Sequence, residues 1–142
     1  MVHALRQAHR VLNSTGLLLD LRPAPVHRRV GLETASSYQQ LAVMEETFDD
    51  DYAANRAVKE MVDARALNLV CRTRFDCIRR MDRFIDFQRR LDEYVRLTKV
   101  RRPEGVVSKI REGLKAQRTK SPNGKIKIFV RAPVDLRVLL KR

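Results

Sequence analysis

The sequence predicts an α/β domain, mixed α+β being the alternative, with helices packed on about four to five strands of mixed direction. Three observations lead there. Segments of helical period alternate with shorter apolar or period-two segments along the chain. At 142 residues, 44% hydrophobic and 33% charged, the composition suits one globular domain, residues 1–142, able to bury a core without disulfides or metals. The final stretch alternates on both sides of Pro133, the pattern of antiparallel closing strands.

Leu5, Ala8, Val11 and Leu12 recur at helical spacing with Arg6, Gln7 and Arg10 between them, so the chain opens with an amphipathic helix. Turn residues 13–16 end it, Gly16 being able to take the left-handed cap. The apolar run Leu17 to Leu21 predicts a strand covered on both faces. Asp20 and Arg22 fall near its carboxyl end, where open α/β sheets bind ligands. Pro23 and Pro25 then force an extended connection that carries His27, Arg28 and Arg29.

Tyr38 to Phe48 predicts a two-faced strand, followed by the acids Asp49, Asp50 and Asp51. Asp50 or Asp51 is expected to cap the next helix, whose positive amino end favours all three. That helix, Tyr52 to Ala66, carries Ala54, Ala57, Val58, Met61 and Val62 as its apolar stripe. Leu69 to Ile78 switches to period two and reads as a strand. Asp82 is expected to cap a helix over Arg83 to Leu97, with Phe84, Phe87, Leu91 and Tyr94 or Val95 inward. Pro103 opens another helix that buries Val106, Val107, Ile110 and Leu114. After a turn at residues 121–124, Lys125 to Arg131 and Val134 to Leu140 form two strands, with a bulge, bend or edge position at Pro133.

The net charge of +13 is unevenly placed: residues 1–71 carry −1 and residues 72–142 carry +14. Such a field attracts polyanions, and it also describes a solvated basic surface. Lys109, Arg111, Lys115 and Arg118, on the exposed side of their helix, are the candidate basic surface. A nucleic-acid partner fits the charge but lacks stacking groups, since only 6% of residues are aromatic and Trp is absent. Cys71 and Cys77 are the only cysteines. If they share one strand they lie about 20 Å from each other, too far for a disulfide, and they are expected as small buried hydrophobes. No apolar run reaches membrane-spanning length and no signal pattern opens the chain, so a cytoplasmic protein without a membrane partner is expected.

The stretch from Ala4 to Asp20 has an alanine-rich helix ending in Arg10-Val11-Leu12, a turn with Gly16, and the apolar strand. It resembles the helix and following strand in the second half of class I S-adenosylmethionine-dependent methyltransferases, although residues 13–16 replace that family's usual proline-glycine-glycine turn. The resemblance implies a partial Rossmann-like sheet, the C-terminal half of such a domain, closed by antiparallel strands. In that family a glycine-rich loop holds the cofactor; both it and the acidic residue of the second strand would precede residue 1. Gly16, Gly31, Gly105, Gly113 and Gly124 are scattered, and none begins the turn of converging amides that a nucleotide-sized ligand needs. No cofactor is therefore expected for this chain, S-adenosylmethionine entering only where another chain supplies the missing half.

No nucleophile is flanked by a readable base, so no catalytic, cofactor-binding or metal-ligating residue is assigned. The candidate anion-binding set is Asp20, Arg22, His27, Arg28, Arg29, Arg72 and Arg74. If the Leu69 strand lies near the first, arginines from two elements can clamp a carboxylate or phosphate. In the alternative, Asp20 pairs with Arg22 or Arg74 in a structural network. The function expected is that of a non-catalytic methyltransferase-like half domain acting through self-association, as a dimer, or through a protein partner, because a truncated sheet leaves an edge or face to be covered. A small basic nucleic-acid- or phosphate-binding protein, and a methyltransferase part completed by another chain, are the alternatives.

Overall fold

A computed structural model describes residues 2–142. The elements run α1 (Val2–Val11), β1 (Leu17–Pro23), β2 (Arg28–Glu33), β3 (Tyr38–Met44), α2 (Asp49–Asp63), β4 (Leu67–Met81), α3 (Phe84–Thr98), α4 (Glu104–Lys120) and β5 (Lys127–Lys141). Helices and an open five-stranded sheet make this an α/β fold, as the alternating periods predict. The strand order is β1-β5-β2-β3, and β4 also pairs with β5. The ladders β1–β5, β2–β3 and β2–β5 are antiparallel. None of the helices among the described residues is long and apolar enough to cross a membrane.

The chain packs as two compact units. Residues 2–26, 47–77 and 133–142 form the first, and residues 27–46 and 78–132 the second. In the first unit β1 lies antiparallel to β5, in register from Leu17↔Leu140 to Pro23↔Val134. Leu18 and Leu139 are directly opposite and point toward the helices, where Val58 and Met61 of α2 and Leu67 of β4 complete the core and Leu5 of α1 packs against it. Lys141 ties off this unit: its Nζ donates to the Leu12 carbonyl at 2.7 Å, one of the carbonyls left open at the end of α1.

The helices of this unit cover one face of β1 only. Leu17, Leu19 and Leu21 remain 56%, 64% and 60% exposed, which corrects the strand covered on both faces. An apolar run of this kind signals burial, but a period of two leaves every second residue on the other face whatever its hydrophobicity. Cys71 and Cys77 are likewise exposed rather than buried, because β4 is exposed from Leu69 to Cys77.

In the second unit β2 and β3 form a hairpin with a register shift between Val30 and Gly31. Val30, Gly31 and Leu32 are buried consecutively there, which hides the alternation that would mark β2 as a strand in the sequence. Gly31 is required by close approach: a Cβ built on it would lie 2.0 Å from the Gln39 carbonyl oxygen and 2.6 Å from the Phe129 ring. Helices α3 and α4 supply Phe87, Leu91, Val106, Val107 and Ile110 to the core, all from their anticipated stripes.

Element ends differ from expectation in physically simple ways. α2 already begins at Asp49, so all three aspartates sit in its first turn and act on its positive end; neither Asp50 nor Asp51 is the cap, and Phe48 at that position makes no side-chain cap. α3 begins after Arg83 rather than Asp82, and Arg83 pairs with Asp86 instead. β5 is one strand rather than two. Pro133, which has no donor, falls between the stretch paired with β2 and the stretch paired with β1, and its carbonyl accepts from the Ala24 amide at 2.8 Å.

Candidate functional site

The strand geometry of the first unit gathers charge on the helix-facing side of β1 and β5. Asp20 lies opposite Arg137, and Arg22 opposite Asp135. Opposite charges thus face each other twice across the ladder, the favourable cross-strand arrangement. Arg22 Nη2 donates to Asp20 Oδ2 at 2.6 Å, and Arg137 lies 3.7 Å from the same oxygen. Asn55 of α2 accepts from Arg137 Nη2 and, at 3.5 Å, from Arg22. From β4, Arg74 grips Asp135 with Nε at 2.6 Å and Nη2 at 3.1 Å, and Arg72 adds a bond at 3.1 Å.

Asp135 is only 4% exposed, yet its carboxyl is pulled down to about 2, chiefly by the hydrogen bond from Arg74, then by Arg72, against the cost of burial. The Arg137 guanidinium is also lowered from its ordinary value, first by burial, which disfavours its charge, and then by the Arg22 charge beside it. Four guanidiniums therefore surround two carboxylates, and Arg22 Nη1 is buried without a hydrogen-bond partner. Arg72 and Arg74 do converge, but on an internal carboxylate. Asp20 pairs with Arg22, as the structural-network alternative has it. Asp135, Arg137 and Asn55 were not among the sequence candidates.

His27, Arg28 and Arg29 belong to the second unit, where Glu46 engages the first two. Glu46 accepts the Arg28 backbone amide at 3.3 Å, its Oε1 lies 3.4 Å from Arg28 Nε, and the Tyr94 hydroxyl donates to the same oxygen at 2.7 Å. Arg28 sits 4.7 Å over the Tyr94 ring, and His27 Nδ1 accepts from the Glu46 amide at 3.1 Å. Burial, with the Glu46 hydrogen bond second, pushes the Tyr94 phenol up to about 12. Arg29 is exposed and stands opposite Val43 of β3 and Arg131 of β5.

Lys109, Arg111, Lys115 and Arg118 are all exposed on α4. Arg111, Lys115 and Arg118 share one stripe by helical spacing, whereas Lys109 lies about 200° around from Arg111. The Arg111 guanidinium rests 5.5 Å over the Phe84 ring.

The feature left without an internal partner is an edge. β4 is a fifteen-residue strand whose described strand partner is β5 alone, so its other row of backbone N–H and C=O groups faces outward. Arg72 and Arg74 share the side of β4 that meets Asp135, and alternation places Cys71, Thr73, Phe75 and Cys77 on the reverse side. Val70 is 57% and Phe75 46% exposed. The three outward leucines of β1 add apolar surface on the order of 300 Å² to the same unit, within the size of the largest patch on an ordinary monomer. No family model, curated protein or solved structure matches this chain.

Proposed function

We propose that the protein acts by associating with a second copy of itself through the first unit, as a binding rather than a catalytic module. The observation that carries this reading is the open edge of β4. Monomeric proteins shorten, bulge or cover such an edge. This one is fifteen residues long and exposed through its middle, with apolar Val70 and Phe75 beside it. Its arginines limit open-ended stacking without preventing a single closed pairing, and a two-fold dimer is the arrangement that covers both edges at once. Sedimentation velocity over a wide concentration range tests this. The expected result is a monomer–dimer equilibrium in the native chain and a monomer of unchanged circular dichroism for Val70→Lys/Phe75→Lys. A native chain that stays monomeric throughout overturns the proposal.

A further inference from the structure

Resting on that association, we infer that two copies pair β4 to β4 antiparallel about a two-fold axis at Arg74, so that Cys71 of each faces Cys77 of the other. A two-fold axis relating antiparallel neighbours runs normal to the sheet and passes between the two copies of a single residue. Each register is therefore named by its central residue. With Arg74 at the centre, Arg72 meets Asp76, Cys71 meets Cys77, Thr73 meets Phe75 and Val70 meets Ile78, each pair occurring twice. Arg72 faces Asp76 and Val70 faces Ile78, pairs of the kind that stabilise a ladder, while toward the ends Leu69 falls opposite Arg79 and Asn68 opposite Arg80.

The neighbouring registers fail on the same residues. Centring on Thr73 puts Arg72 against Arg74 twice. Centring on Phe75 keeps one opposite-charge pair, Arg74 with Asp76, but sets three apolar side chains against arginine: Ile78 against Arg72, Cys71 against Arg79 and Val70 against Arg80. The one like-charge contact of the preferred register, Arg74 with itself, is moderated because each Arg74 is already held by two hydrogen bonds to Asp135 of its own chain.

Residues directly opposite in an antiparallel ladder have Cα atoms about 4.5–5.5 Å apart, inside the range a disulfide spans. The exposed Cys71 and Cys77 are thus placed for two symmetry-equivalent links across the dimer, although the two cysteines of one strand cannot reach each other. With a small-molecule disulfide such as oxidised glutathione as oxidant, the Cys71 thiolate attacks it and releases one glutathione thiol. The partner's Cys77 thiolate then attacks the Cys71 sulfur and releases the second. Each link converts two cysteine thiols and one glutathione disulfide into one protein disulfide and two glutathione thiols.

The test is oxidised-glutathione treatment of Cys71→Ser, Cys77→Ser and their equimolar mixture, read on non-reducing gels, with sedimentation of the reduced native chain alongside. The expected result is no covalent dimer from either variant alone and a cross-linked dimer from the mixture, since only a mixed pair sets Cys77 of one chain against Cys71 of the other. Cross-linking of either variant alone to the level of the mixture overturns the register. So does a mixture that fails to cross-link while the reduced native chain sediments as a dimer. A reduced native chain that is monomeric overturns the association itself.

Discussion

Replacing Asp135 by Asn removes the charge from the centre of the arginine cluster while keeping the side chain's shape. The carboxyl is held at about 2, against an ordinary aspartate value of about 3.9. A difference of that size corresponds to about 2–3 kcal/mol of folding free energy at neutral pH. Arg72 and Arg74 are each about half exposed, so water takes back part of this, and a loss of about 1–2 kcal/mol is expected for the variant. The pH dependence carries the sign. A carboxyl with a depressed folded value contributes fully above its unfolded value, and that contribution is lost as the pH falls through about 4 toward about 2. Urea unfolding of the native chain and Asp135→Asn across this range should show the gap closing with acid. A gap below about 0.5 kcal/mol at neutral pH, or one that stays constant into acid, would refute the reasoning.

Two further predictions concern the second unit. Gly31→Ala should destabilise by about 3 kcal/mol in urea unfolding, because the added Cβ meets the Gln39 backbone carbonyl oxygen as well as the buried Phe129 ring. Gly105→Ala in α4, where nothing lies within 4 Å, should instead stabilise by about 0.5–1 kcal/mol; equal effects at the two sites would contradict the packing described. For Tyr94, the neutral phenol is favoured in the fold, a contribution complete below about pH 10 and lost as the pH rises through about 12. Ultraviolet titration should show a phenolate step near pH 12 that disappears in Tyr94→Phe, and a native profile already complete by about pH 11 would argue against that environment.

Helices were the legible part of the sequence. The stripes through Ala54, Ala57, Val58 and Met61, through Phe87 and Leu91, and through Val106, Val107 and Ile110 are all buried. A period of 3.6 assigns one face to the core and the other to water, so pattern and burial coincide. Strands were read less well because hydrophobicity does not say which face is covered. Leu17 to Leu21 looked doubly buried and is half open, and β2 was hidden behind a bulge. Arg72 and Arg74 stood out as a pair, but their carboxylate lies about sixty residues away in β5, among Val134, Leu136 and Val138. A signal was present nonetheless. Asp20 and Arg22 in one strand, and Asp135 and Arg137 in another, are both spaced by two, and an antiparallel pairing sets each acid against an arginine.

The ladder between β1 and β5 has a consequence for how the chain acquires its structure. It joins Leu17 to Leu140, so β1 is matched by a strand synthesised much later than itself. At about 5–20 residues per second, on the order of ten seconds separates the two on a translating ribosome. Through that interval β1 has no ladder, whereas the β2–β3 hairpin is local and can form at once. Contacts of such long range slow folding and prolong the exposure of apolar surface. The first unit, which carries the open edge, is therefore the unit more dependent on protection while the chain is being made.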